Sequence, residues 1–223
     1  MVSPLVLDVD GTITRPDGGL DSRAIDALRT WPETVVIATG KAFSYPIALC
    51  HFASIEENVI AENGGVVHAA GEIAYAGDPE AAWAVADEYV EAGYSLGWPK
   101  TDLVNRWRET EVAVSRESPL EPLREIAHRH GQEVVDTGYA YHIKSPEMSK
   151  GRGLELAAEL LGFDPADAVA IGDSINDVSA FERVGRSYAV ANADQHALAA
   201  ADEVLDEGYA DGTLALLTRL LAQ

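Results

Sequence analysis

Leu5–Val6–Leu7–Asp8–Val9–Asp10–Gly11–Thr12 sets three apolar residues against two carboxylates and a glycine. An uninterrupted apolar run of this kind reads as a strand buried in a parallel sheet. The two carboxylates, two positions apart, point the same way in extended chain, and Gly11 then frees the backbone to turn. An Asp–Gly turn with no chemical role has the same look, so the segment takes its meaning from what repeats its pattern. Thr34–Val35–Val36–Ile37–Ala38 runs into Thr39–Gly40–Lys41, Asn58–Val59–Ile60–Ala61 into Glu62, and Ala168–Val169–Ala170–Ile171 into Gly172–Asp173. Between them lie helical patterns at 21–29, 43–52, 151–161, 176–184, 195–200 and 211–221. Alternating strands and helices at both ends of the chain predict an α/β fold: a Rossmann-like parallel sheet covered by helices on both faces. The pattern changes after Gly77. A helix over 78–92, a strand at 111–114, a helix over 119–130 and hairpin strands at 133–135 and 139–143 read as an inserted α+β cap. The expected division is a core of residues 1–77 and 149–223 with a cap of residues 78–148.

The whole chain has 223 residues, 16 Lys plus Arg, 37 Asp plus Glu, and a formal charge of −21. Such a chain repels nucleic acid and anionic membrane surfaces, which bind through clustered cations. An anion site within it needs local cations or a metal. The acids are spread along the chain and lysine is confined to Lys41, Lys100, Lys144 and Lys150, a surface that suits very high salt, where self-repulsion is screened. A single cysteine, Cys50, rules out an internal disulfide and reads as a buried thiol in an apolar run. With no apolar stretch near the roughly 18 residues of a membrane span and no leader pattern, a soluble, cytoplasmic protein is expected, with a homodimer left open.

In parallel sheets ligands bind beyond the carboxyl ends of the strands. Asp8 and Asp10 stand beyond the first strand, and Thr39 and Gly40, a hydroxyl with exposed N–H groups, beyond the second. After the strand at 168–171, Asp173, Asn176 and Asp177 exceed what capping a helix needs. Lys150 opens a helix, where the macrodipole disfavours a cation and a nearby anion would favour one. Asp8, Asp10, Asp173 and Asp177 cannot all ionise close together without a cation, and an all-oxygen set suits Mg²⁺. With Lys150 and Thr39 these residues make the inventory for phosphoryl transfer through a carboxylate nucleophile.

Four of these segments, in this order, resemble the motifs of the haloacid dehalogenase superfamily of Mg²⁺-dependent phosphohydrolases: Asp8–Thr12, Thr39, Lys150 and Gly172–Asp177. Glu62–Asn63–Gly64–Gly65 resembles a signature of the subgroup whose cap follows the third core strand. The small cap and the Ala38–Lys41 and Glu62–Gly65 segments are most similar to archaeal phosphoglycolate phosphatases. The resemblance implies that Asp8 is the nucleophile and Asp10 the general acid/base. It implies that Mg²⁺ is held by Asp8, the backbone carbonyl of Asp10 and Asp173, with Asp177 a ligand or close behind one. Thr39, Gly40, Lys150 and Asn176 would bind the phosphate of a small phosphorylated metabolite. Sugar-phosphate phosphatases and phosphomannomutases share the capped architecture, but the dense arginine cluster a bisphosphate intermediate needs is missing. A non-catalytic phosphate binder would have no use for Asp10. The cap would exclude water and read the leaving group, with Arg106, Arg108, Arg116, His142 and Lys144 as candidates and Lys144 first among them.

Overall fold

In the computed structural model, which describes residues 2–222, the chain runs β1 (Leu5–Leu7), α1 (Ser22–Arg29), β2 (Val35–Ala38), α2 (Ser44–Ala53), β3 (Val59–Ala61), β4 (Val66–Ala69) and β5 (Glu72–Tyr75). It continues with α3 (Ala81–Glu91), β6 (Glu111–Ser115), α4 (Leu120–Arg129), β7 (Glu133–Asp136) and β8 (Ala140–Lys144). It closes with α5 (Lys150–Leu161), β9 (Val169–Gly172), α6 (Val178–Phe181), β10 (Arg186–Ala189), α7 (Gln195–Ala200), β11 (Glu203–Val204) and α8 (Tyr209–Leu221).

The main sheet has the order β11-β10-β9-β1-β2-β3-β4-β5. From β11 to β3 all neighbours are parallel; β4 and β5 extend the edge antiparallel, so the sheet is mixed. Ala70 and Gly71, both at positive φ, close the β4–β5 hairpin with the twist a two-residue loop requires. β1 lies centrally between β2 and β9 and is buried throughout. Alternation divides it: Leu5 and Leu7 pack with Ala24 and Leu28 of α1 and Leu216 of α8, while Val6 packs with Leu154 of α5 and Phe181 of α6. Cys50 of α2 is buried on the first of these faces, and desolvation pushes its thiol up to about 12, well out of a nucleophile's range.

Residues between β5 and α5 form a second antiparallel sheet, β6-β8-β7, with α3 and α4 on one face. Val112, Val114 and Ile143 pack with Val85, Tyr89, Leu123 and Ile126 of those helices. By alternation the opposite face carries Glu111 and Ala113 of β6 beside Lys144 and His142 of β8. Two helix boundaries differ from the expected ones. The helix expected from Asp78 begins at Ala81, although Asp78 Oδ1 accepts from the N–H groups of Glu80 and Ala81. The helix expected over 176–184 is a 3-10 turn at 175–177 followed by α6. There Asp177 folds back onto the Asp173 and Ser174 N–H groups and tightens the first turn. No helix among the described residues is long and apolar enough to cross a membrane.

Glu62 ties the small sheet to the large one. Its side chain is fully buried and accepts from the backbone N–H groups of Glu109, Thr110 and Glu111 and from the Thr110 hydroxyl. Burial pushes its pKa up, and the Thr110 and Glu109 N–H groups pull it back. Glu62→Ala strands these donors. We expect a loss of about 3 kcal/mol, read from the denaturant midpoint at unchanged m-value. A loss under about 1 kcal/mol would show that water replaces the carboxylate at little cost.

Candidate active site

The parallel strands bring their carboxyl ends into one row, and the polar residues that follow them meet there. Asp8 follows β1, and its N–H donates to Ile171 O of β9 at 3.0 Å, which ties the two strand ends together. Lys150 begins α5, where Ser149 caps the helix by accepting from the Arg152 N–H. The Lys150 ammonium, buried beneath the sheet ends, donates to Asp8 Oδ1 and Asp177 Oδ1 at 2.6 Å each. Asp177 Oδ2 accepts from the Asp173 and Ser174 N–H groups at 3.0 Å, so both of its oxygens are held. Asp8, Asp173 and Asp177 each offer an oxygen within 4.8 Å of the others.

The electrostatics follow from burial. Desolvation pushes the Asp8 carboxyl up to about 8; Lys150 pulls it down, and Asp177 and Asp173 push it up again. Asp173 is raised to about 7, again by desolvation first and then by Asp177. Burial works against the Lys150 ammonium, but Asp177 and Asp8 outweigh it and hold its pKa above the usual lysine value. Three carboxyl groups beside one ammonium would leave a surplus of negative charge once ionised, which a divalent cation would offset.

The remaining expected residues take distinct places. Asp10 is exposed, and its carboxylate faces Lys41 Nζ at 3.1 Å, outside the cluster of Asp8, Asp173 and Asp177. Gly11, at φ +80, turns the chain just after Asp10, and a Cβ there would run into the Asp173 carboxylate. Thr39 is buried, its hydroxyl oxygen accepting from the Lys41 N–H at 3.2 Å. Gly40 lies against Asn63, and Asn176 Nδ2 donates to Asn63 Oδ1 at 3.1 Å. Asp8, Asp10, Thr39, Gly40, Asp173 and Asn176 line one cavity of about 600 Å³; Lys150 and Asp177 stand behind its wall.

The cap closes the cavity through residues of which sequence reasoning named only some. Arg108 and His142 line it, whereas Lys144, the first choice from sequence, does not. Lys144 Nζ instead donates to Met148 O at 2.7 Å and pairs with Glu133 at 2.5 Å. Arg116 is held by Asp136 and Gly138 O, and Arg106 lies over the Trp107 ring at 6.0 Å. Glu111 and Asn63 carried no separate role in the sequence reading. Glu111 accepts from Arg108 with Oε1 and from Asn63 Nδ2 with Oε2 at 3.1 Å. The chain Arg108–Glu111–Asn63–Asn176 therefore runs from cap to core. The signal for Asn63 was in Glu62–Asn63–Gly64, three successive positive φ values that place its side chain in the site. Glu111 carried none.

Strand ends that gather three acids around one buried lysine make a site in an α/β fold that could hold a divalent cation beside an anionic substrate. The chain belongs to the haloacid dehalogenase-like hydrolase family, whose model matches residues 5–81 and 114–217. It is 59% identical over 221 residues, covering 98% of each chain, to a phosphoglycolate phosphatase of Natronomonas pharaonis. It is 54% identical over 217 residues to a phosphoglycolate phosphatase of Halobacterium salinarum, covering 97% of this chain and 96% of that one. A solved structure from Thermoplasma acidophilum superposes over 100% of both chains with a TM-score of 0.82 and 25% identity. Relatives from salt-loving archaea accord with the acidic, lysine-poor surface.

Proposed function

We propose that this protein is a Mg²⁺-dependent phosphatase that hydrolyses 2-phosphoglycolate to glycolate and phosphate through a phospho-aspartate on Asp8. The observation that carries the reading is the unlike setting of Asp8 and Asp10. Asp8 is buried on Lys150 with an oxygen within 4.8 Å of Asp173 and Asp177, where a cation could gather it, and Asp10 stands exposed on Lys41 in the lining of the same cavity. The names of the close relatives support the substrate. In this reading residues 1–77 and 149–223 are the catalytic core and 78–148 the cap.

The carboxylates of Asp8 and Asp173 and the carbonyl of Asp10 would hold Mg²⁺, and Asp177 would fix Lys150 and the Asp173 loop from behind. The ion would supply positive charge at the phosphate and lower the pKa of its carboxylate ligands. Asp8 attacks phosphorus in line. Asp10 gives its proton to the leaving oxygen and then takes one from the water that cleaves the acyl phosphate. Thr39, the Gly40 N–H and Asn176 would hold the phosphoryl oxygens, and Lys150 would add positive charge from behind the cavity wall. A panel of 2-phosphoglycolate, hexose phosphates and mannose phosphates tests the substrate; preference for a hexose phosphate by kcat/KM would overturn it.

The raised carboxyl values give a separate test of the metal. Folding raises Asp8 and Asp173 from the ordinary 3.8 to about 8 and about 7 in the metal-free chain. Their contribution is therefore fully present below the unfolded value and is lost as pH rises through 7 to 8. A divalent cation competes with those protons, so its stabilisation grows over the same window. We expect the Tm gain from Mg²⁺ to be larger at about pH 8.5 than at about pH 6. A gain that is equal or reversed contradicts the site.

A further inference from the structure

The cavity has two poles. The floor carries Asp8 on Lys150; the opposite wall is the helix-free face of the cap sheet with the loop before it. Among the residues lining the cavity, the side chains bearing a fixed positive charge are Lys41 and Arg108. Lys41 is spent on Asp10 at the rim. The Arg108 side chain is 7% exposed and held on three sides. Its Nε donates to Val104 O at 3.1 Å, and Nη1 donates to Gly40 O at 3.1 Å and to Glu111 Oε1. A guanidinium has five N–H donors, so the two on Nη2 remain, and no acceptor among the described residues meets them.

Burial lowers the Arg108 pKa, and a buried arginine–glutamate pair adds little stability over an apolar pair of the same volume. A packing role does not account for it. The bond to Gly40 O sets this cation at a fixed place against the Thr39–Gly40 loop expected to hold the phosphate. Beside it His142 is buried, its Nδ1 3.1 Å from Glu111 Oε2 and without a hydrogen-bond partner among the described residues. Burial and the neighbouring Arg108 and Lys144 depress its pKa to about 3, so His142 presents an uncharged ring.

We infer that Arg108 binds the carboxylate of the leaving group through Nη2, with Glu111 as its positioning residue and His142 beside it in the cavity wall. This makes the substrate class a phosphomonoester that bears a carboxylate close to the ester oxygen, and it rests on the phosphatase reading above. A preformed, desolvated cation recognises such a group without reordering, and an uncharged alcohol leaves it without a partner.

The test compares kcat/KM for 2-phosphoglycolate with that for p-nitrophenyl phosphate, in wild type, Arg108→Met, Arg108→Lys and Glu111→Gln. Folding is checked by circular dichroism. We expect the ratio to fall about 100-fold in Arg108→Met and about 10-fold in Arg108→Lys, whose ammonium lacks the planar fork. In Glu111→Gln the fall should appear mainly in KM for 2-phosphoglycolate. Should Arg108→Met fail to fold, Arg108→Lys decides. A folded Arg108 variant that keeps the wild-type ratio, or loses both activities equally, overturns the assignment. A wild type that does not prefer 2-phosphoglycolate defeats the underlying reading instead, which separates the two failures.

Discussion

Asp8→Asn should lower kcat by about 10⁴-fold or more while leaving the fold in place. An asparagine keeps the size of the side chain, and its amide oxygen can still accept from Lys150, now 2.6 Å from Asp8 Oδ1. What it loses, in the proposed mechanism, is the anionic oxygen that would attack phosphorus, and no other carboxylate is placed to take over. Asp10 is exposed on Lys41, Asp177 has both oxygens engaged, and Asp173 belongs to the set proposed to hold the metal. The measurement is phosphate release under saturating Mg²⁺ and substrate, with circular dichroism on the same samples. More than about 1% of wild-type kcat in a folded sample would show that phosphorus is attacked by water or by another group.

Lys150→Met should have the largest effect on stability. The ammonium is wholly buried and is the cation that Asp8 and Asp177 both hold. Removing one partner of a buried ion pair costs about 3–5 kcal/mol because the other charge stays behind, and here two carboxylates stay behind. Protonation limits the loss. Lys150 is the main influence pulling the Asp8 carboxyl down, so without it Asp8 rises beyond about 8 and keeps its proton to higher pH. The destabilisation should thus be smaller at about pH 6 than at about pH 8.5, and Mg²⁺ should recover part of it. Denaturant unfolding of metal-free and Mg²⁺-loaded protein at both pH values checks this. A metal-free variant within about 1 kcal/mol of wild type would show that Lys150 is not what balances the cluster.

Much of the site was legible because a parallel sheet makes strand ends meaningful. Uninterrupted apolar runs mark buried strands, and whatever follows them must lie along one edge. Asp8, Thr39 and Asp173 are drawn together by that rule alone. Lys150 stood out because a cation at a helix start calls for an anion, and Asp8 and Asp177 are there. The same reasoning ran short in the cap. Strand alternation puts Lys144 and His142 on one face of β8, yet Glu133 and the Met148 carbonyl capture the lysine. Arg108 looked like one of several surface cations; its bond to Gly40 joins residues 68 positions apart. The expected helix at 176–184 shrank for a related reason, since Asp177 turns back to serve the Asp173 loop instead of extending the helix.

Length, charge and strand-end chemistry settle the α/β class and the acidic cluster, because these depend on local pattern and on the few ways a strand–helix repeat can pack. Which carboxylate is buried and which exposed, which oxygens are already bonded, and which cap cation lines the cavity are matters of long-range contact. Those follow from desolvation and hydrogen-bond geometry among residues distant in the chain, and only the tertiary structure decides them.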